Sequence, residues 1–149
     1  MIPDTIHASA AIVRGHGVLI RGASGSGKSS LLLALITSRD ADAVLVADDR
    51  VVLSVAGGEV FAAPPPSLAG LMEIRGVGIV RRDHRERARI DLVVDLKPLA
   101  ECPRLPDESE ARVVLAGVPL PRIFIAVEAR DGVARVLGAL LSERRVILT

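Results

Sequence analysis

At 149 residues, half of them hydrophobic and a quarter charged, the chain is long enough to bury one core and too apolar to be disordered. A net charge of +1 and two aromatic residues, Phe61 and Phe124, exclude general attraction to nucleic acid or anionic membranes and any stacking platform for bases. One cysteine, Cys102, excludes a disulfide framework and a cysteine metal cluster and reads as a packing residue.

In chain order, the first 21 residues predict two strands joined at the turn-rich tetrad Arg14-Gly15-His16-Gly17. The second is the short apolar strand Gly17-Val18-Leu19-Ile20-Arg21. Gly22-Ala23-Ser24-Gly25-Ser26-Gly27-Lys28-Ser29 follows and matches the phosphate-loop pattern G-x-x-x-x-G-K-[ST] in full. Gly22, Gly25 and Gly27 let the backbone curl so that N–H groups along the loop converge on phosphate oxygens. Lys28 adds a point charge for the outer phosphates, and the Ser29 hydroxyl can ligate magnesium. Ser29 to Ser38 predicts a helix whose N-terminus favours anions, with Leu31, Leu32, Leu35 and Ile36 as its buried face. Strand before and helix after make this a nucleotide-phosphate site.

Asp40 to Asp42 turns the chain into Ala43 to Ala47, an apolar run expected of a strand covered on both faces. Val51 to Val55 and Val60 to Ala62 flank Gly57-Gly58, which predicts a hairpin, and Pro64-Pro65-Pro66 forces an extended connection. Ile90 to Leu96 and Ile123 to Val127 read as strands, with Val113 to Leu115 as a weaker one. Val133, Val136, Leu137, Leu140 and Leu141 define a final amphipathic helix, with Asp131 placed to cap it. Strands outnumber helices and often follow one another directly. The expected class is therefore α/β, a strand-rich mixed sheet around a phosphate-binding loop. No stretch approaches roughly 18 consecutive apolar residues. Asp4, His7 and Arg14 stand where a signal peptide needs an apolar core. A cytoplasmic protein of one domain, 1–149, is the expectation.

Asp48 and Asp49 follow the strand Ala43 to Ala47. A parallel strand beside the phosphate loop would release them at its carboxyl end, where ligands bind in such sheets. The intervening helix of about ten residues covers roughly 15 Å and the strand returns along a similar distance, so Lys28 and the two acids can share an edge. Adjacent strand residues point opposite ways, which suggests divided work: one acid near the metal, the other accepting a proton. Glu73 is an acidic residue inside an apolar stretch with two glycines. Composition alone makes His7 a partly buried structural histidine. The basic run Arg81 to Arg89 is interrupted by Asp83 and Glu86 and reads either as a docking site for an acidic partner or as a solvated loop.

Taken together, these blocks resemble the catalytic domain of bacterial HPr kinase/phosphorylase, which phosphorylates a serine of the phosphocarrier HPr. The likeness rests on His7 with the run to Gly17-Val18-Leu19-Ile20, the phosphate loop, Leu45-Val46-Ala47-Asp48-Asp49-Arg50-Val51 and Met72-Glu73-Ile74-Arg75-Gly76-Val77-Gly78-Ile79. Arg89-Ile90-Asp91-Leu92-Val93-Val94 also fits. A looser likeness runs from Arg104-Leu105 through Leu115-Ala116-Gly117-Val118-Pro119-Leu120-Pro121 to the last helix. The resemblance implies a phosphate-loop fold related to phosphoenolpyruvate carboxykinase, with ATP and Mg2+ as cofactors. It implies that Lys28 neutralises the transferring phosphate, that Ser29 and Glu73 hold the metal with Asp48 beside it, and that Asp49 takes the serine proton. His7 matches the family's active-site histidine and Arg104 its active-site arginine. The phosphate-loop residues Gly22, Ala23, Ser24, Gly25, Ser26, Gly27, Lys28 and Ser29 would bind the nucleotide.

Three departures bear on activity. The chain opens directly at the catalytic domain, where the family has a separate N-terminal domain. Arg81 to Arg89 replaces a longer glycine-containing segment associated with dephosphorylation. Glu128 to Gly132 stands for a longer glycine- and arginine-containing loop. The expectation is a kinase-type member acting on an HPr-like phosphocarrier, with homo-oligomerisation and reverse phosphorylase activity both left open. A small-molecule kinase and a non-catalytic ATP-binding regulatory module are the alternatives.

Overall fold

The structure, a computed structural model, describes residues 4–142. Its elements are β1 (Ile6–Val13), β2 (His16–Arg21), α1 (Lys28–Thr37), β3 (Ala43–Ala47), β4 (Arg50–Ala56), β5 (Glu59–Ala63), β6 (Leu71–Ile74) and β7 (Gly78–Arg81). Then come β8 (Ala88–Lys97), β9 (Arg112–Leu115), β10 (Val118–Ala126) and α2 (Gly132–Leu141). Two hairpins stand where the turn residues predict them. Arg14 and Gly15, at φ 52° and 82°, join β1 to β2, and Gly57 and Gly58, at 59° and 76°, join β4 to β5. Two successive positive φ angles make the tight turn that matches the strands' own twist.

An eight-stranded mixed sheet results, and part of it closes on itself. β2 pairs with β1, β1 with β4, β4 with β5, β5 with β8, and β8 returns to β2. β8 makes this possible by changing partners along its length. Arg89 and Ala88 pair with β5, whereas Val93 to Lys97 pair in parallel with β10. Gly17 stands where β2 meets β8: a Cβ there would lie 1.7 Å from the Arg89 carbonyl oxygen, so no larger residue fits.

The continuous apolar runs are explained by burial on both faces. Val18, Ile20, Leu92 and Val94 face the helices and pack with Leu31, Leu32, Leu35 and Val136. Leu19, Val93, Ala8, Ala10, Val51, Val60 and Ala62 fill the closed side of the sheet. Among the described residues no helix is long and apolar enough to cross a membrane.

β3 corrects one expectation. It runs in the same direction as β2 but is not its neighbour, because β1 lies between and pairs antiparallel with both. The carboxyl ends of β2, β3, β8 and β10 still share one edge. Asp131 corrects another. It occupies the N-cap position of α2, but its carboxylate takes the Arg135 guanidinium at 2.8 Å instead of a backbone N–H. The last sheet strand begins earlier than expected, at Val118, and includes Pro119 and Pro121. Two apart, these prolines turn the same way, and this part of β10 has only β9 beside it, so their missing N–H groups cost no ladder bond.

Part of the basic run is structural. Arg89 bonds Glu59 at 2.9 Å and Asp91 at 3.0 Å, and Arg87 lies 3.7 Å above the Phe61 ring. The Arg85 N–H donates to the Leu45 carbonyl, tying the segment to β3. Arg81 and Arg85 remain exposed.

One buried charge sits at the carboxyl edge. Asp95, 4% exposed, accepts two bonds from Arg21 at 2.8 and 2.9 Å and one from Arg122 at 3.3 Å. The Asp95 hydrogen bonds hold the Arg21 guanidinium above its ordinary pKa despite partial burial. The triad joins β2 just before the phosphate loop to β8 and β10. Asp95→Ala removes the carboxylate that Arg21 and Arg122 share, while Arg122 keeps the Glu110 carbonyl and the Phe124 ring as partners. The loss is put at about 3 kcal/mol, the low end for breaking a buried pair. Thermal unfolding followed by circular dichroism is expected to show a midpoint lower by roughly 10 °C.

Candidate active site

The loop after β2 climbs off the sheet through Gly25 and Gly27, at φ 79° and 98°, a conformation side chains disfavour. Gly27 is the N-cap of α1 and supplies no side-chain cap. The first bond into the helix runs from the Leu31 N–H to the Gly27 carbonyl, 2.9 Å, so the turn ahead keeps the orphan N–H groups of a helix start. Lys28 is 4% exposed, and its Nζ donates to the carbonyls of Gly22 (2.9 Å) and Ala23 (3.1 Å). A buried ammonium held by two neutral carbonyls, beside the positive end of a helix, is a site short of negative charge. Ser26 Oγ adds a buried polar atom with no hydrogen-bond partner inside the same loop. Both observations fit a phosphate chain.

The acids meet the loop as the spacing argument expects. The Ser29 hydroxyl donates to Asp48 Oδ1 at 2.7 Å, across 19 residues of sequence. The same carboxylate receives the Ser9 hydroxyl at 3.2 Å and, on its other oxygen, the Glu73 N–H at 3.2 Å. Asp49 turns away from it. Its φ of 66° lies in the left-handed region that aspartate tolerates better than most residues, and its exposed side chain lines the cavity. Its backbone N–H donates to Ser9 Oγ at 3.0 Å. The two carboxylates thus take different directions, but a backbone twist beyond the end of β3 separates them, not the alternation of a strand.

The cavity has a volume of about 450 Å3, within the range of roughly 300–1,000 Å3 common for small-molecule sites. Lys28, Ser29, Leu33, Asp49, Glu73 and Arg75 are among its lining residues. Glu73 reaches it from a hairpin that periodicity did not reveal, the separate two-stranded sheet of β6 and β7. Among the described residues no three His, Cys, Asp or Glu side chains gather as a metal cage. Mg2+ needs none, because it binds through one or two carboxylates plus phosphate oxygens and keeps several waters. Ser29, Asp48 and Glu73 are the groups that could hold it.

Ser9 went unnoticed in the sequence. Lone serines are common, and this one sits in an apolar strand; full burial together with two bonds to consecutive aspartates sets it apart. His7 lies two residues earlier on the same strand face, opposite Arg50 in the β1–β4 pair, and is exposed where a partly buried side chain was expected. Arg104 stands apart. It lines a second cavity, about 790 Å3, beyond the carboxyl ends of β8 and β10, with Cys102, Phe124, Glu128 and Arg135. Burial, followed by the charges of Glu128 and Glu101, pushes the Cys102 thiol above its ordinary pKa. That favours the neutral, less reactive form of the thiol.

A strand-rich sheet that delivers a phosphate loop, a helix N-terminus and two acids to one edge is an α/β phosphate-loop fold. The chain belongs to the HPr serine kinase C-terminal domain family, whose model matches residues 3–147. Relatives named HPr kinase/phosphorylase in Burkholderia cenocepacia, Burkholderia mallei and Paraburkholderia phymatum are 36% identical over 145 residues, covering 91% of this chain and 44% of theirs. The chain therefore spans less than half the length of these relatives. The structure of the Hpr(Ser) kinase/phosphatase from Coxiella burnetii shares the fold, with a TM-score of 0.76 and 24% identity over 93% of this chain and 94% of that one.

Proposed function

We propose that the chain is an ATP- and Mg2+-dependent protein serine kinase of the HPr kinase type, acting in the cytoplasm on an HPr-like phosphocarrier. The observation that carries this reading is the 2.7 Å bond between Ser29 and Asp48 at the mouth of the phosphate loop. It brings the metal-ligating hydroxyl of the loop and the downstream acid pair to one point, as phosphoryl transfer requires. Residues 1–149 are taken as one catalytic unit; positions 1–3 and 143–149 lie outside the described residues.

In mechanism, the loop N–H groups and the start of α1 receive the phosphate oxygens. Lys28 exchanges its bonds to the loop carbonyls for the outer phosphates, gaining a charged partner in place of two neutral ones. Ser29, Asp48 and Glu73 would hold Mg2+, which when bound shields the charge on the β and γ phosphates. Asp49 accepts the proton of the acceptor serine as its oxygen attacks the γ phosphorus and the bond to the β-phosphate oxygen breaks. The family likeness assigns His7, two residues before Ser9 on β1, and Arg104, which lines the second cavity, to the active site as well.

The test is incubation with γ-labelled ATP, Mg2+ and purified HPr. Label on an HPr serine supports the reading; binding of ATP without transfer to any protein rejects it. Ser9 provides a finer check. Ser9→Ala removes the hydroxyl that holds both the Asp48 carboxylate and the Asp49 backbone. Turnover is expected to fall about tenfold, corresponding to roughly 1.4 kcal/mol of lost positioning, while the ATP dissociation constant changes less than twofold.

A further inference from the structure

The β6–β7 hairpin carries more exposed apolar surface than its fold requires. Its inner face is anchored: Met72 is 1% exposed, and Ile74 and Val80 pack on the helix-side core. Its outer face bears Glu73 and Ile79, which are directly paired across the two strands, and Leu71 paired with Arg81. Directly paired residues project from the same face with Cβ atoms about 5 Å apart. Ile79 is 74% exposed and Val77, in the turn, is 70% exposed. Glu73 and Arg75 line the catalytic cavity from the same hairpin. The apolar pair therefore lies on the hairpin whose Glu73 and Arg75 line the cavity, with Ile79 paired to Glu73 and Arg75 and Arg81 on either side of it in sequence.

We infer that this outer face of the β6–β7 hairpin is the docking surface for the acceptor protein, seating an apolar contact beside the acceptor serine with acidic groups around it. The inference rests on the kinase reading above and specifies what that kinase recognises. A macromolecular serine enters a cavity of this size only if the protein around it covers the rim, and the hairpin is a rim that is both apolar and exposed. Isolated exposed hydrophobic residues need no explanation; here two lie on the hairpin that lines the cavity a protein acceptor must cover. Arg75 and Arg81 supply the complementary charge, which steers encounter more than it adds affinity. A small-molecule acceptor would have no use for either feature.

The experiment compares wild type, the double variant V77S/I79S and R81E in steady-state transfer to purified HPr, with ATP binding measured separately. These three side chains are exposed, so thermal unfolding of the variants should match wild type. For V77S/I79S the expected result is a KM for HPr raised at least tenfold, with kcat at saturating HPr within twofold and ATP affinity unchanged. R81E should raise the KM about threefold or more and flatten its dependence on salt. If V77S/I79S leaves the KM for HPr at the wild-type value while wild type transfers phosphate, the docking surface is wrong and the kinase reading stands. If wild type itself labels no protein, both are overturned. A salt dependence in R81E equal to wild type removes the acidic-rim part of the inference.

Discussion

Asp49→Asn is expected to leave ATP and Mg2+ binding nearly intact and to reduce phosphoryl transfer by roughly 10²–10⁴-fold, the usual contribution of a general base. The physical basis is the division of labour between the two acids. Asp48 is engaged by Ser29, Ser9 and the Glu73 N–H, whereas the Asp49 side chain is exposed to the cavity. Asparagine preserves size and the backbone N–H that bonds Ser9, and it tolerates the left-handed φ of 66° at least as well. What it loses is the ability to accept a proton. Isothermal titration with ATP and Mg2+, alongside single-turnover transfer to HPr, separates the two effects. Transfer at a quarter or more of the wild-type rate would reject the proton-acceptor role.

Lys28→Ala is expected to act on binding and turnover together, lowering kcat/KM for ATP by roughly 10³-fold. That corresponds to about 4 kcal/mol, in the range seen when one preorganised stabiliser of transition-state charge is removed. The lysine is buried and held by the loop's own carbonyls at 2.9 and 3.1 Å, so it meets the phosphate chain already desolvated. Lys28→Arg should not restore activity, because a planar fork cannot replace a compact ammonium among carbonyls spaced for it. Steady-state kinetics with ATP as the varied substrate, beside thermal unfolding of the same variants, distinguishes loss of phosphate handling from collapse of the loop. A kcat/KM within tenfold of wild type would reject the role of Lys28.

The local elements were legible because local chemistry dictates them. The phosphate loop needs its glycines at fixed offsets, and Gly25 and Gly27 take the positive φ angles that such a loop demands. Arg14-Gly15 and Gly57-Gly58 make tight turns for the same reason. The alternation of Val18, Leu19 and Ile20 between two cores follows from strand geometry once both faces are covered. The meeting of the loop with Asp48 was readable to the same depth, because the lengths of the intervening helix and strand allow it.

Other features depend on which distant segments meet, and no local pattern encodes that. The hairpin bearing Glu73 was missed because four-residue strands with a glycine-rich turn carry almost no periodicity. Asp131 has the residue type of a helix cap, yet Arg135, one turn on, offers its carboxylate a charged partner that a backbone N–H cannot match. Ser9 acquires its significance only when β1 inserts between β2 and β3, setting it against residues 39 and 40 positions away. The bonds of Asp95 to Arg21 span 74 residues, and closure of the sheet through β8 brings strands from both halves of the chain together. Backbone torsion and side-chain period act over a few residues and are written locally. Strand pairing and the burial of charge are decided by global packing, where each contact is stable only because all the others have formed.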